Sequence, residues 1–430
     1  MSTCGFNLIR NARMFFTTNV NAETGVVGTA GFTTANTKEI QVLDGLSFSQ
    51  NTTAETVTIN EAGDSPTRGQ RNFNTALDPV ELSFSTYLRP FFAENAGTSA
   101  YDNTDTVEAE EDVLWNAFAT GDNGIPGDQL IGTAQTIGDP RPATGTAGHY
   151  AAWRKFVGAA GVEPYSTVTY DRSAKNQLQK FGVIIVLDST SYVIDNCVLD
   201  QASIDFGIDA IATVAWTARG SVIRAADLAA SEAVAGTVTF SGTYLTGTGV
   251  SAKGKETTAP FLANKLSVVE LLAEGIEGAG PGYTLALTGG NITLSNNVTY
   301  LTPANLGIVN KPFTYFTGTR AVSGSLNCYL KTGTTNSGAL LTDLLAASAT
   351  NVDPAYNLKL SIGGKNTLGK TRVVLHMPAT VLTIPTINTE QVVSTTINFT
   401  AQGYDSGTDE FDICANNEIT ITYYSANTTV

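Results

Sequence analysis

Residues Ser203 to Gly220, SIDFGIDAIATVAWTARG, contain the clearest strand pattern in the chain. Apolar and polar residues alternate along much of this stretch, which is typical of strands with one buried face. A second stretch, TINTEQVVSTTINFTAQG from Thr386 to Gly403, aligns with it without a gap and pairs Trp216 with Phe399. This recurrence predicts that one β-rich unit occurs twice in the chain.

Four further landmarks precede each of these two stretches, and they occur in the same order in both halves. They are IRNARMFF (Ile9–Phe16) with LANKLSVV (Leu262–Val269), GLSFSQN (Gly45–Asn51) with NITLSNN (Asn291–Asn297), ELSFSTYLR (Glu81–Arg89) with SGSLNCYLK (Ser323–Lys331), and VLWNAF after the acidic run Glu108–Asp112 with ALLTDLLAAS (Ala339–Ser348). The last pair predicts one helix in each half, the first of them with acidic residues in its first turn.

The repeat and the composition together predict two tandem domains. We expect the first domain over 1–225, a linker rich in Ala, Gly, Ser and Thr over 226–259, and the second domain over 260–430. The first half also contains an additional Gly/Ala/Thr-rich stretch over about 97–171. We interpret that stretch as a surface insertion.

The overall composition narrows the class of protein. The 430 residues are 42% hydrophobic and 15% charged and include 41 glycines, as expected of a β-rich globular chain. The net charge is -15 and no cluster of Lys and Arg occurs, which argues against a nucleic-acid binder. No signal peptide and no apolar run of 18 residues occurs, so we expect a protein made in a cytoplasm without membrane insertion.

Residues with catalytic or metal-binding chemistry are few and dispersed. The four cysteines form no C-x-x-C pair and the histidines are only His149 and His376, so we expect no enzyme activity, no cofactor and no metal site. GVSAKGKE at 249–256 resembles a phosphate-binding loop but has Glu256 where the metal-binding hydroxyl belongs. Carboxylate pairs such as Asp205 with Asp209 leave a glycosidase open, although nothing in the sequence places them across a cleft.

The sequence also resembles the tail tube proteins of long-tailed bacteriophages. It most closely resembles the duplicated, trimer-forming tube protein of flexible, non-contractile siphovirus tails. The strings that carry the resemblance are NTKEIQVLDGLSFSQ (Asn36–Gln50), NEAG (Asn60–Gly63), PTRG (Pro66–Gly69), SFSTYLRP (Ser83–Pro90), SYVIDNCVLDQASIDFGIDAIATVAWTARG (Ser191–Gly220), NITLSNNVTYLTP (Asn291–Pro303) and TGTRAVSGSLNCYL (Thr317–Leu330).

The resemblance implies a mainly β fold of two tail-tube β-sandwich domains, each flanked by an α-helix. It implies that strands of neighbouring domains join into a continuous inner barrel, that three chains form a pseudo-hexameric ring, and that rings stack into a tube conducting DNA. The implied partners are other copies of the chain, the tape measure protein, the tail terminator and the tail tip or baseplate proteins, and DNA passes without specific binding. The implied location is the virion tail, assembled in the host cytoplasm.

Two sets of site residues follow as hypotheses. The segment Glu55–Asn74 contains turn-forming glycines and a proline between two strands, which predicts a long hairpin loop. The family's equivalent loop reaches the next ring, so Glu61, Arg68 and Arg71 are predicted inter-ring contacts. Asp205 and Asp209 are predicted to lie on one face of one strand, at the lumen or at an interface.

One alternative function belongs to a different class. A β-sandwich adhesin or carbohydrate-binding module on a virion would also be β-rich, Thr-rich and free of catalytic motifs. A tube subunit is expected to polymerise, whereas an adhesin is expected to remain a discrete oligomer that binds a glycan.

Overall fold

The fold was established from a computed structural model of the chain. It describes residues 12–21, 24–27, 37–57, 71–93, 106–119, 135–136, 153–158, 163–168, 178–187, 190–225, 239–241, 244–246, 261–273, 282–350, 355–364, 369–388, 392–403 and 418–426. The protein is mainly β, with large antiparallel sheets and two α-helices among these residues, as the sequence predicts.

The strands are numbered in chain order. Those before residue 250 are β1 Ala12–Thr17, β2 Thr37–Ile40, β3 Ser47–Ser49, β4 Thr52–Val57, β5 Arg71–Leu77, β6 Val80–Tyr87, β7 Pro90–Ala93, β8 Thr106–Ala109, β9 Gln135–Thr136, β10 Trp153–Val157, β11 Tyr165–Val168, β12 Phe181–Leu187, β13 Thr190–Asp205, β14 Thr213–Gly220, β15 Val222–Ala225, β16 Thr239–Ser241 and β17 Tyr244–Thr246. Those after it are β18 Val268–Ala273, β19 Gly282–Thr284, β20 Leu287–Ser295, β21 Val298–Leu301, β22 Thr314–Thr317, β23 Ala321–Tyr329, β24 Ala355–Ile362, β25 Arg372–Leu382, β26 Thr386–Asn388, β27 Ser394–Ala401 and β28 Thr420–Tyr424. The helices are α1 Asp112–Ala119 and α2 Ser337–Thr350, and a short 3₁₀ turn spans Asn264–Leu266.

The same order of strand pairing occurs in both halves. In the first half it is β2-β1-β12-β13-β14-β6-β3, with β15 also paired to β13. In the second half it is β19-β18-β24-β25-β27-β23-β20, with β28 also paired to β25. The hairpins β4–β5 and β21–β22 and the helices α1 and α2 occupy matching places in the two orders.

The strand β13 passes from one layer of the first half to the other. Its first part pairs with β12 and β15, and its last part pairs with β14. The register shifts between Leu199 and Gln201, and Asn196 has a φ of 53°. Such an irregularity bends a strand and increases its twist, which lets one strand serve two sheets.

The core lies between the layers and beneath the helices. Alternate residues of β14 and β6, such as Trp216 and Phe84, are buried, and the rings of Trp115 on α1 and Trp216 are 4.7 Å apart. Leu340 of α2 belongs to the same hydrophobic cluster. Each helix is therefore fixed to the fold by burial of its apolar side chains.

The expectation that residues 97–171 lie on the surface is wrong for their described part. This part includes β8, α1, β10 and β11, and Trp115 and Trp153 in it are fully buried. Strand β11 pairs with β28, close to the end of the chain. The division of the chain into domains over 1–225 and 260–430 with a linker over 226–259 stays a prediction.

Candidate assembly surface

The two halves are joined by direct pairing of β13 with β20. Ser203 lies opposite Thr293 and Asp205 lies opposite Asn291 in an antiparallel register. The hydroxyl oxygens of Ser203 and Thr293 are 3.3 Å apart, and the N–H of Phe206 donates to the carbonyl of Gly290 over 3.0 Å. The junction is therefore a continuous sheet and not a linker contact.

Glycine is required on the β20 side of this junction. A Cβ added at Gly290 would lie 2.2 Å from the carbonyl oxygen of Ser325 and 2.7 Å from Cζ of Phe206. Because the first contact is to backbone, a side chain fits only if the sheet itself shifts.

The junction creates a run of strands that begins and ends in open edges. The run is β3-β6-β14-β13-β20-β23-β27, followed by β25 and β26, which both pair with β27. Within the described ranges, β3 pairs only with β6 and β26 only with β27. Neither strand contains Lys or Arg, residues that commonly protect such edges in monomers.

One side of this run presents polar side chains that the described residues leave unburied. We call this side the polar face. It consists of the odd-numbered residues of β3, β6, β14 and β23, the odd-numbered residues of β13 from 201 and of β20 from 291, and the even-numbered residues of β27. None of these residues is buried, whereas the residues between them face the core. Hydroxyl and amide groups link neighbouring strands across the face, as between Ser325 and Asn291 at 2.7 Å and between Thr396 and Asn327 at 2.9 Å.

Few residues of the polar face are charged, and those few lie near the ends of their strands. Its charged members are Glu81, Asp205 and Arg219, and the others are Ser, Thr, Asn, Gln, Tyr and Ala. Arg219 lies opposite Glu81 in the register and pairs with Asp200, at the bulge of β13, over 3.2 Å. The net charge of the chain is -15, so the acidic residues are concentrated elsewhere.

The two hairpins lie together beyond one end of the strands, on the side where β3 is followed by β4 and β20 by β21. The N–H of Leu77 donates to the carbonyl of Asn310 over 2.8 Å, which connects β5 to the loop of the second hairpin. The pairing of β4 with β5 confirms the hairpin, but Glu55–Val57 and Arg71–Asn74 belong to its strands and not to the predicted loop. Glu61 and Arg68 lie outside the described residues. Arg71 begins β5 and is exposed.

The second hairpin and the loop within it are apolar at the surface. Leu306 has a relative exposure of 102%, Ile308 of 63% and Phe313 of 56%. Large exposed apolar groups on neighbouring positions mark a surface that contacts another molecule.

The opposite ends of the strands, where β13 turns into β14, also expose apolar residues, and these lie beside Asp205 and Asp209. Asp205 is the last residue of β13 and Asp209 lies in the following turn, and both are exposed. Their predicted placement on one strand is therefore wrong. Ile208 in the same turn is exposed as well, as is Ile211, which forms a bridge with Ala263 just after the turn.

Comparison with known proteins places this architecture in a family. The model of the family described as "Phage tail tube protein" matches residues 19–401. The chain belongs to the phage tail tube protein family. It is 28% identical over 394 residues to the tail tube protein pb6 of Escherichia phage T5, covering 92% of this chain and 72% of that protein.

The family assignment confirms the predicted structural role. This tail tube protein is a component of the virion tail that assembles with itself into a tube and contacts other tail components. The comparisons do not favour an adhesin or a carbohydrate-binding module. No helix in the described ranges is both long and apolar enough to cross a membrane.

The tail tube chain also contains a buried polar contact between its halves that the sequence analysis missed. The Tyr423 hydroxyl on β28 donates to Glu111 over 3.0 Å and accepts from the indole N–H of Trp115 over 2.6 Å. Burial raises the pKa of the Glu111 carboxyl to about 8. A protonated, uncharged Glu111 is therefore the form that this site favours at neutral pH.

A second such contact joins β25 to the described end of the 97–171 stretch. Arg372 pairs with Glu163, and both side chains are nearly inaccessible to solvent. The Arg372 guanidinium also lies 3.8 Å from the ring centroid of Tyr424. The only sequence signal for these contacts was the apolar and aromatic content of short segments, which does not specify partners so distant in the chain.

Proposed function

We propose that three copies of this tail tube chain close edge to edge into a ring with pseudo-sixfold symmetry, and that stacked rings form the channel that conducts DNA from capsid to host cell. The two domains of each chain, 1–225 and 260–430 with the linker 226–259, would occupy equivalent places in the ring. Duplication favours a flexible, non-contractile tail.

The single observation that carries the proposal is the β13–β20 junction. In the repeated pairing order, β20 corresponds to β3, and β13 corresponds to β25 with β26. The chain thus contains one complete junction, and its free edges at β3 and β26 are the two halves of a second. Pairing β26 of one copy with β3 of the next repeats the internal junction between chains.

Closure of three chains gives a channel wide enough for a DNA duplex. With four strands per domain, a ring contains roughly 24 strands, and spacing of about 4.8 Å at a tilt of about 40° gives a backbone diameter of roughly 48 Å. The helices and the core pack on one side of the sheet, so the polar face is the side that can line an open channel. Asp205 and Asp209 would then lie at a rim of this channel.

Stacking of one ring on the next is proposed to use the two rims of the ring, where the strands end in hairpins on one side and in the β13–β14 turn on the other. Apolar groups of the second hairpin, such as Leu306, lie at one end and those of the β13–β14 turn, such as Ile208, at the other. A contact between unlike ends does not close on itself and therefore propagates into a filament. Glu61, Arg68 and Arg71 of the first hairpin would add charge pairing that sets the angle between rings. Terminal rings would meet the terminator and tip proteins, and the tape measure protein would occupy the channel during assembly.

Disulfide trapping tests the proposed junction. Ser47→Cys on β3 is combined in turn with Ile384→Cys, Thr386→Cys or Asn388→Cys, because a disulfide requires Cα atoms within about 7 Å. We expect one combination to give covalent dimers and trimers, with nothing larger, when assembled protein is oxidised. Ser47→Cys alone is the control, because it reports any cross-link to the four native cysteines, of which Cys197 and Cys328 are buried. Absence of cross-linking in all three combinations, or a series extending beyond three chains, would contradict the proposal.

A further inference from the structure

We propose that one side of helix α2, formed by Leu341 and Leu345, is a docking surface for the first half of the neighbouring copy of this chain, at its strand β15. The inference rests on the proposed function, because it takes as given that β26 of one copy pairs with β3 of the next. It adds a second contact between the chains of a ring, on the core side of the sheet.

The two helices occupy matching places in the two halves but differ in burial. All eight residues of α1 are buried. Helix α2 buries Leu340 and Leu344, whereas Leu345 is 49% exposed and Leu341 is half-buried. Leu341 and Leu345 are four positions apart and therefore lie on the same side of the helix. What covers α1 thus indicates what is missing from α2.

Part of the cover of α1 comes from the second half of the chain. Tyr423 on β28 contacts Trp115 and Glu111, as described above. The side-chain amide of Asn296, directly after β20, donates to the carbonyl of Phe118 in the last turn of α1 over 3.0 Å. The last carbonyls of a helix have no partner within the helix, so this bond satisfies one of them. Helix α1 is therefore docked across the β13–β20 junction.

Helix α2 is held by strands of its own half. The Tyr283 hydroxyl on β19 donates to Asp343 over 2.6 Å, and the Ser337 hydroxyl donates to the carbonyl of Tyr329 over 2.8 Å. Successive residues of a helix are about 100° apart, so Leu345 lies on the side opposite Asp343. The side formed by Leu341 and Leu345 therefore faces away from β19.

The repeat identifies the occupant of this side. Strand β15 pairs with β13 as β28 pairs with β25, and Gln50 directly after β3 aligns with Asn296 directly after β20. When β26 of one copy pairs with β3 of the next, the repeated geometry brings α2 beside the next copy's β15, as α1 lies beside β28. The occupant is thus a second copy of this chain.

Strand β15 has an apolar side to offer. Ile421 and Tyr423, which face the core from β28, have exposures of 1% and 0%. On β15, Ile223 packs on the core but is only partly buried, and Ala225 is exposed. Ile223 and Ala225 are two positions apart and so share one face of the strand. Both α2 and β15 therefore leave apolar groups incompletely covered within the chain, and one contact between copies would cover both.

Labelling of introduced cysteines with a maleimide tests whether this side of α2 is covered in tubes. Leu345→Cys is compared with Ala346→Cys, because Ala346 is also exposed but lies about 100° further around the helix. Wild-type chain gives the background from the four native cysteines. We expect similar rates for the two variants in unassembled chain, and labelling of Leu345→Cys at least about tenfold slower than that of Ala346→Cys in tubes.

Mixed tubes identify what covers it. Leu345→Cys chains are assembled together with Ala225→Cys chains and treated with a short bis-maleimide. We expect covalent dimers from the mixture and not from tubes of either variant alone, because only the mixture places the two thiols on adjoining copies.

The outcomes separate this inference from the proposed function. Equal labelling of Leu345→Cys and Ala346→Cys in tubes would overturn the inference and leave the tube intact. Slow labelling of Leu345→Cys without dimers in the mixture would also overturn it, because another element would then cover α2. A wild-type chain that forms no tubes would instead overturn the proposed function, and this inference with it.

Discussion

The indole N–H of Trp115 donates to the hydroxyl of Tyr423 over 2.6 Å, and through it α1 of the first half is bonded to the last described strand. The same hydroxyl donates to Glu111. One phenol therefore satisfies two buried groups from a segment more than 300 positions away in the chain. The two halves are therefore joined both by this buried contact on the core side of the sheet and by the strand pairing of β13 with β20.

Replacing Tyr423 by Phe is expected to destabilise the fold. The ring still fills its site, but the Trp115 N–H and the Glu111 carboxyl lose their buried partner, which costs about 1–3 kcal/mol for a group left unsatisfied. Denaturant unfolding measures the change. Tyr424→Phe is the matched control and should cost less, because the contact of its ring with Arg372 is retained. Equal losses for the two variants would contradict the role assigned to Tyr423.

Glu111 predicts how stability depends on pH. Burial raises the pKa of this carboxyl from 4.5 to about 8, so between these values the folded chain binds a proton that the unfolded chain releases. Its contribution is complete below pH 4.5 and declines by up to about 1.4 kcal/mol for each pH unit as the pH rises towards 8.

Glu111→Gln removes this titration and keeps the shape of the side chain. We expect the variant to lose less stability than the wild type between pH 5 and pH 8 in the same unfolding assay, a range set by the pKa of about 8. Glu81→Gln, at an exposed position of the polar face, is the control for removing one carboxylate from the chain. Parallel profiles for wild type and Glu111→Gln would show that Glu111 does not titrate in this range.

Gly290→Ala is expected to damage the junction between the halves. The added methyl would lie 2.2 Å from the carbonyl oxygen of Ser325, and strain of this kind typically costs about 1–3 kcal/mol. Gly207→Ala is a matched control, because a Cβ at Gly207 meets nothing within 4 Å. Thermal unfolding compares the two, and a Gly290→Ala variant as stable as Gly207→Ala would refute the close approach.

Leu306→Asp is expected to shorten or abolish tubes without unfolding the chain. Leu306 is 102% exposed, so the carboxylate costs nothing within the subunit but would be buried against the next ring. Negative-stain images give tube length, and circular dichroism checks the fold. Asn305→Asp places the same charge on the neighbouring residue and should shorten tubes less.

The faces of the sheet could be predicted from the sequence, whereas the register of the repeat could not. The ungapped alignment puts Asp205 on Asn388 and Thr213 on Thr396. In the structure Asp205 pairs with Thr213, but Thr396 pairs with Thr386. Because strands have a period of two, this offset of two residues keeps aligned positions of the two repeats on the same side of the strand.

The contribution of residues 97–171 could not be predicted for a different reason. Its strands are short, as in Trp153–Val157 and Tyr165–Val168. The first pairs with the second, and the second pairs with β28, which lies near the other end of the chain. Composition predicts a loop where the local pattern is weak, but burial against distant strands decides the structure. The buried Glu111 was unpredictable in the same way, since an acidic run before a helix normally faces water.

Cryo-electron microscopy of tubes assembled from the wild-type chain shows whether the chains close edge to edge into rings. We expect three chains in each ring, a closed inner barrel, and β3 of each chain hydrogen-bonded to β26 of its neighbour as β20 is to β13 within the chain. A ring with another number of chains, or one in which β3 faces solvent or packs through its side chains alone, would rule out this edge-to-edge closure.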